Sequence, residues 1–322
     1  MNSYFKNQSY IEDVNRSLNS VIAKEKLKDK KVLVTGAGGL IGSFITDVLT
    51  AAGSQTFVAG RNTAKLSERF SESVSLEYDL TKEILFNEDF DYIIYAAGYG
   101  HPAAFVENPI GILTESINGT RRMLDYAVGH CKERLLYVSS GEVYGNIDPM
   151  TPRACYPLSK QAGENLCASY KDKYGVDAVA VRLCHTFGPG MSEKDNRVTA
   201  QFFRNALRSE NIILKSKGEQ LRSYLYAADS ASAILSVLTS GESGKAIDIA
   251  SRDCEITIAE LAGIIARAAG TEVRFELPDE LETKQQSPIK QQLLNDEDLK
   301  KIGWSKSFTL SEGCTRTIAV LK

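Results

Sequence analysis

The chain has 322 residues, 43% hydrophobic and 25% charged, which is enough apolar material for one large domain or a large and a small one sharing an interface. A formal net charge of -3 provides no basic surface, which excludes nucleic acid as a partner and leaves an anionic substrate to a few placed cations and backbone amides. No apolar run spans a membrane, residues 1–19 have no apolar signal core, and the six cysteines show no ligand spacing, so the expectation is a cytoplasmic protein with reduced thiols and no metal.

In chain order, residues 10–24 place Ile11, Val14, Leu18 and Ile22 on one face, which predicts a short amphipathic helix docked on the domain or on a partner subunit. Short apolar runs follow at Lys31–Thr35, Gln55–Gly60, Val74–Tyr78, Tyr92–Ala96, Leu135–Ser139 and Ala178–Leu183. Helical patterns separate most of them, at Leu40–Ala52, Ile110–Val128 and Leu158–Tyr174. Strands apolar on both faces and alternating with helices imply a parallel sheet covered on both sides. The predicted fold is α/β: a Rossmann-like doubly wound parallel sheet with a smaller α/β C-terminal substrate lobe. The expected division is a helical extension over 1–30, a dinucleotide-binding domain over 31–183 with 224–250, and a substrate lobe over 184–223 with 251–322.

The first strand runs into Gly36-Ala37-Gly38-Gly39-Leu40-Ile41-Gly42. Glycines at this spacing permit a tight turn, close approach of a pyrophosphate, and close packing of the next helix, whose N-terminus faces the phosphates. The position between a strand and a helix is the context the motif requires. Tyr156 and Lys160, at i and i+4, share a helical face after a strand that ends in Ser139 and Ser140. An ammonium near a phenol stabilises phenolate, which suits a tyrosine that exchanges a proton.

These motifs in this order resemble the extended short-chain dehydrogenases/reductases, the nucleotide-sugar epimerase/dehydratase group. The resemblance runs from Lys31 to the C-terminus. It rests on TGAGGLIG, Asp79-Leu80, Tyr95-Ala96-Ala97-Gly98, Asn118-Gly119-Thr120, SSGEVYG, YPLSK, Arg182-Leu183-Cys184-His185-Thr186-Phe187-Gly188-Pro189, and Arg222-Ser223-Tyr224 leading to Asp229. It implies Tyr156 as acid/base, Lys160 on the cofactor ribose, Ser140 on the reacting sugar oxygen, and Asn118 in support. Asp79 and Leu80 would meet the adenine, and Ala96, Ala97 and Gly98 the middle of the cofactor. A homodimer is expected through the helices at 110–128 and 158–174.

Arg222 is the expected pyrophosphate contact, and Lys290 a second candidate beside a solvated alternative. His185 replaces the asparagine most often seen at that place; it meets the substrate or is structural. The segment from Asn146 to Cys155, with Pro149, Pro152 and Arg153, is shorter than in many relatives and borders the sugar pocket. The cofactor is NAD or NADP. The second strand ends Ala59-Gly60-Arg61-Asn62, without the carboxylate that binds a ribose 2′-OH, and Arg61 suits a 2′-phosphate, which favours NADP.

The partner implied is a nucleotide-diphosphate sugar, with hydride transfer at C4. In related 4,6-dehydratases an acidic pair follows the catalytic Ser/Thr; here it reads Gly141-Glu142, so dehydration is disfavoured. Glu142 alone fits the S-x-E pattern of UDP-glucuronate decarboxylases, or bonds a loop amide. The ranking is epimerase, then 4-keto reductase, decarboxylase and dehydratase. A non-catalytic cofactor-binding protein is opposed by the intact Ser140, Tyr156 and Lys160.

Overall fold

The protein is seen in a computed structural model that describes residues 4–100, 102–145, 147–193, 195–276 and 290–322. Helix α1 (Gln8–Asn19) leads to β1 (Lys31–Thr35), α2 (Leu40–Ala51), β2 (Gln55–Gly60), α3 (Thr63–Arg69), β3 (Val74–Glu77) and β4 (Phe90–Tyr95). Then come α4 (Pro102–Glu107), α5 (Pro109–His130), β5 (Cys131–Ser140), α6 (Cys155–Tyr174), β6 (Ala178–Leu183) and β7 (His185–Phe187). The chain continues with α7 (Val198–Leu207), β8 (Ile212–Leu214), β9 (Leu221–Tyr226), α8 (Ala227–Ser240), β10 (Ala246–Ile249) and β11 (Glu255–Thr257). It ends with α9 (Ile258–Ala269), β12 (Val273–Phe275), β13 (Gln291–Gln292), α10 (Glu297–Lys301) and α11 (Leu310–Leu321).

Seven parallel strands form the main sheet in the order β3-β2-β1-β4-β5-β6-β10. Strand side chains alternate between faces, and helices cover both. Val32 and Val34 pack with Phe44, Val48 and Ile234 on one side, and Leu33 with Tyr95, Met123, Leu124 and Tyr170 on the other. The strand order reverses between β1 and β4. At such a switch point the connections diverge to opposite faces and leave a crevice at the carboxyl ends of the strands.

The smaller lobe is built on β9, which pairs with β7 and β13 in parallel and β11 antiparallel. Strand β9 lies wholly in this smaller sheet and runs across the expected division at 223/224. Helix α8 then returns the chain to the main sheet, where β10 pairs with β6.

The first helix ends sooner than its pattern predicts. The chain turns at Ser20, and Ala23 adopts a left-handed φ of 52° before a 3-10 turn over Lys24–Leu27. Helix α1 is seated on the domain itself. Tyr10 Oη donates to Asp47 at 2.6 Å, Ser17 Oγ to the Ala228 carbonyl at 2.7 Å, and Tyr226 Oη to Asp13 at 2.7 Å. Among the described residues no helix is long and apolar enough to cross a membrane, and no cluster of metal-ligating side chains occurs.

Candidate functional site

The crevice floor is set by two strand ends. Gly36 follows β1 with φ 68°, and a Cβ there would stand 2.8 Å from the Ala96 carbonyl oxygen. Glycine therefore lets the turn lie against the end of β4. The Ala97 amide donates to Thr35 Oγ1 at 3.1 Å and ties the same two strands. Gly39 caps α2 without a side-chain bond, and its own amide closes the turn on the Gly36 carbonyl at 2.9 Å. The first-turn amides at Leu40, Ile41 and Gly42 lack intrahelical partners, as at any helix start, and suit a phosphate. A Cβ at Gly42 would overlap the Gly36 carbonyl, so this glycine seats the helix on the turn. Gly38 is exposed beside them.

The wall of the crevice is made by Leu80, Tyr95, Ala97, Gly98, Ser116, Thr120, Tyr137 and Lys160. Asp79 accepts from the Thr81 amide at 3.0 Å and its hydroxyl at 2.9 Å, which holds its carboxyl below the usual range. Arg61 is exposed beyond β2, and its charge reaches Asp79. Asn118 is exposed on α5, while Ser116 and Thr120 face the crevice. The pair at 116 and 120 is one helical turn apart on a single face, and residue 118 lies on another. Glycine turn, crevice and helix start together fit a dinucleotide: they supply phosphate-binding amides and space that side chains would fill.

Strand β5 delivers Ser140 to the mouth of this crevice, and α6 brings Tyr156 near it, so that the Ser140 hydroxyl favours the ionised phenol; Ser140 Oγ accepts from the Glu142 amide at 3.2 Å. Lys160 follows one turn later, and its Nζ donates to the Val138 carbonyl at 2.8 Å. A Cβ at Gly98 would be 3.6 Å from that Nζ, which places the end of β4 against the lysine. Burial pushes Lys160 down to about 8, against the pull of Glu164. Burial, then the Glu142 charge, pushes the Tyr156 phenol up to about 12; the nearby Ser140 hydroxyl and the Arg197 and Arg153 cations act the other way. The ammonium was expected to lower the phenol. Instead Nζ sits 5.9 Å from the Tyr156 ring centroid and bonds a carbonyl, and burial dominates.

Several residues at this site escaped the sequence reading. Phe105 of α4 stacks on Tyr156 with centroids 4.4 Å apart and planes 14° apart. Glu164 accepts from Ser139 at 2.6 Å and from Arg182 at 2.9 and 2.6 Å, which gives Ser139 a structural partner. Glu142 is ion-paired with Arg153 at 2.7 Å rather than bonded to a loop amide. At Gly141 a Cβ would stand 2.6 Å from Leu294 Cδ1, so a second carboxyl there must displace Leu294.

On the substrate side, Arg222 is buried in β9 and donates to the carbonyls of Leu221 at 2.8 Å and Lys290 at 3.3 Å. Lys290 itself is exposed, and its carbonyl is what ties it to β9; residues 287–289 lie outside the described residues. His185 pairs with Tyr224 across β7 and β9, with ring centroids 5.6 Å apart. Burial and the Arg222 and Arg197 charges push it down to about 3, so it stands neutral at physiological pH.

A nucleotide-binding crevice at a sheet switch point, with serine, tyrosine and lysine hydroxyls and amine at its mouth, defines a dinucleotide-dependent oxidoreductase-type enzyme. The family model "NAD dependent epimerase/dehydratase family" matches residues 32–250. The chain belongs to this family, and it is an enzyme of that NAD-dependent type. It is 30% identical to UDP-glucuronic acid decarboxylase 1 of Xenopus tropicalis over 313 residues, covering 90% of this chain and 71% of the relative. Two solved structures share its fold. An epimerase from Methanothermobacter thermautotrophicus matches with TM-score 0.80 and 22% identity, over 94% of each chain. UDP-glucose 4-epimerase of Thermotoga maritima, with UDP-glucose, matches with TM-score 0.77 and 20% identity, over 90% of this chain and 98% of that one.

Proposed function

We propose that this enzyme oxidises a nucleotide-diphosphate sugar at C4 to a transient 4-keto sugar. The observation that carries this reading is the placement of Ser140 beside Tyr156 at the crevice mouth, with Lys160 one turn away. NAD(P) supplies the hydride acceptor at that crevice. Ser140 and Tyr156 would both grip the C4 hydroxyl, and Tyr156, ionised to the phenolate, would take its proton as the C4 hydrogen leaves as hydride. A phenol held near 12 resists giving up its own proton, and the cations facing it, Arg197 and Arg153, lessen that cost. Lys160, fixed on Val138, faces the crevice wall at Gly98, where a cofactor ribose would lie.

How the 4-keto sugar is resolved separates two readings. A C6 carboxylate beside a C4 ketone is a β-keto acid: the C5–C6 bond breaks, carbon dioxide leaves, and the electron pair passes to the C4 oxygen held by Ser140 and Tyr156. Protonation at C5 and return of the hydride complete the reaction. Decarboxylation is our first reading because a relative 30% identical across 90% of the chain carries that name. Epimerisation, ranked first on sequence, is the second; it needs only Ser140, Tyr156, Lys160 and the cofactor. Incubation with UDP-glucuronate, UDP-glucose and dTDP-glucose, read by mass spectrometry, is expected to show loss of carbon dioxide. An unchanged mass with an altered C4 configuration moves the assignment to epimerase, and loss of water contradicts both.

We also infer a preference for NADP. Arg61 follows β2 where no carboxylate stands at positions 59–62, and its exposed side chain suits a 2′-phosphate. Arg61→Ala is expected to weaken NADP binding by about ten-fold, the worth of one charge-assisted bond, and to leave NAD binding nearly unchanged. Fluorescence titration with both cofactors checks it. Equal losses, or a wild-type preference for NAD, contradict it.

A further inference from the structure

Arg153 keeps one guanidinium nitrogen buried with no acceptor among the described residues. It stands in the 3-10 turn Pro152–Ala154, three residues before Tyr156. Its Nη2 donates to Glu142 Oε2 at 2.7 Å, and its guanidinium lies 4.9 Å from the Phe105 ring centroid, the ring that stacks on Tyr156. Nη1 is the buried nitrogen that has no hydrogen-bond partner among the described residues. Buried donors are almost always satisfied, and a guanidinium fork held on one side is pre-set to give its other N–H to an oxyanion. The Glu142 charge also acts on Arg222, so one carboxylate faces two guanidinium groups and the cluster keeps a net positive charge.

The position of the fork selects the part of the ligand it meets. In a pyranose ring C4 lies opposite C1, which carries the diphosphate. A sugar whose C4 hydroxyl rests on Tyr156 and Ser140 therefore turns its diphosphate away from Arg153 and its C6 substituent toward the neighbourhood of Tyr156. We propose that Arg153 is the specificity-determining residue of the sugar pocket, its Nη1 binding a carboxylate at C6, so that the pocket selects nucleotide hexuronates over nucleotide hexoses. This rests on the C4 reading above, because that reading orients the ring.

The test is isothermal titration of the full chain, loaded with cofactor, with UDP-glucuronate and UDP-glucose, for the wild type, Arg153→Met and Arg153→Lys. The wild type is expected to bind UDP-glucuronate at least about ten-fold more tightly than UDP-glucose. Arg153→Met is expected to lose about 10–100-fold for UDP-glucuronate and less than about two-fold for UDP-glucose, with Arg153→Lys between. No preference in the wild type, or equal losses for both sugars, overturns the assignment. Should the Met variant fail to give a cooperative melt, the same ratio in Arg153→Lys decides, since lysine keeps the charge and loses the fork. Nicotinamide absorbance on mixing with either sugar reports C4 oxidation separately. Its absence sinks the C4 chemistry, while the binding ratio still judges Arg153.

Discussion

Tyr156→Phe is expected to fold normally and to lower turnover by roughly 10²–10⁴-fold, the range for removal of a positioned acid/base. The fold survives because the phenyl ring keeps its stack on Phe105 at 4.4 Å. What disappears is the hydroxyl that stands beside Ser140. Ser140 still holds the substrate oxygen, so the loss should fall on kcat rather than on binding. Steady-state kinetics with a thermal melt on the same sample checks this. A well-folded variant with near-normal turnover removes Tyr156 from the chemistry.

Lys160→Met is expected to divide stability from activity. The ammonium is buried, and burial brings its pKa to about 8 from the ordinary 10.5. Below about pH 8 the folded protein carries the whole cost of that buried charge. Between about 8 and 10.5 the folded lysine sheds its proton while the unfolded one keeps it, so unfolding takes up a proton and stability rises with pH. At about 1.4 kcal/mol per unit, the burden below pH 8 comes to about 3 kcal/mol. Losing the bond to the Val138 carbonyl offsets about 1 kcal/mol of the relief. Lys160→Met should therefore gain about 2 kcal/mol at pH 7, an advantage that shrinks toward pH 10, while turnover falls at least about 100-fold. Denaturant melts at the two pH values decide it. A variant less stable than the wild type at pH 7 contradicts the burial argument.

The parts legible in the sequence were those fixed by local pattern. Alternation and run length located β1 to β6, and the glycine turn between β1 and α2 needs only its neighbours to define it. Tyr156 and Lys160 share a helix and so share a face. The rest depends on residues distant in sequence. The Arg153–Glu142 pair bridges a turn and a strand end, and Phe105 reaches Tyr156 from a different helix. Glu164 joins Ser139 to Arg182 across two strands. No periodicity reports such meetings. Helix α3 escaped because it spans only seven residues, although Asn62 at its start, accepting from the Lys65 amide at 3.0 Å, is a capping signal the sequence displays. Ser116 was readable too, one turn before Thr120. The rise of the Tyr156 phenol was not, because burial is a property of the assembled core.

The central claim is that a hydride leaves C4 under the care of Tyr156, and a label at that carbon tests it most directly. A nucleotide sugar deuterated at C4, either UDP-glucuronate or UDP-glucose, is mixed with excess cofactor-loaded enzyme and quenched within a single turnover. Mass spectrometry of the released cofactor is expected to find the deuterium on nicotinamide with the wild type and almost none with Tyr156→Phe. Product formed while all of the deuterium stays at C4 and none ever reaches the cofactor would contradict the account.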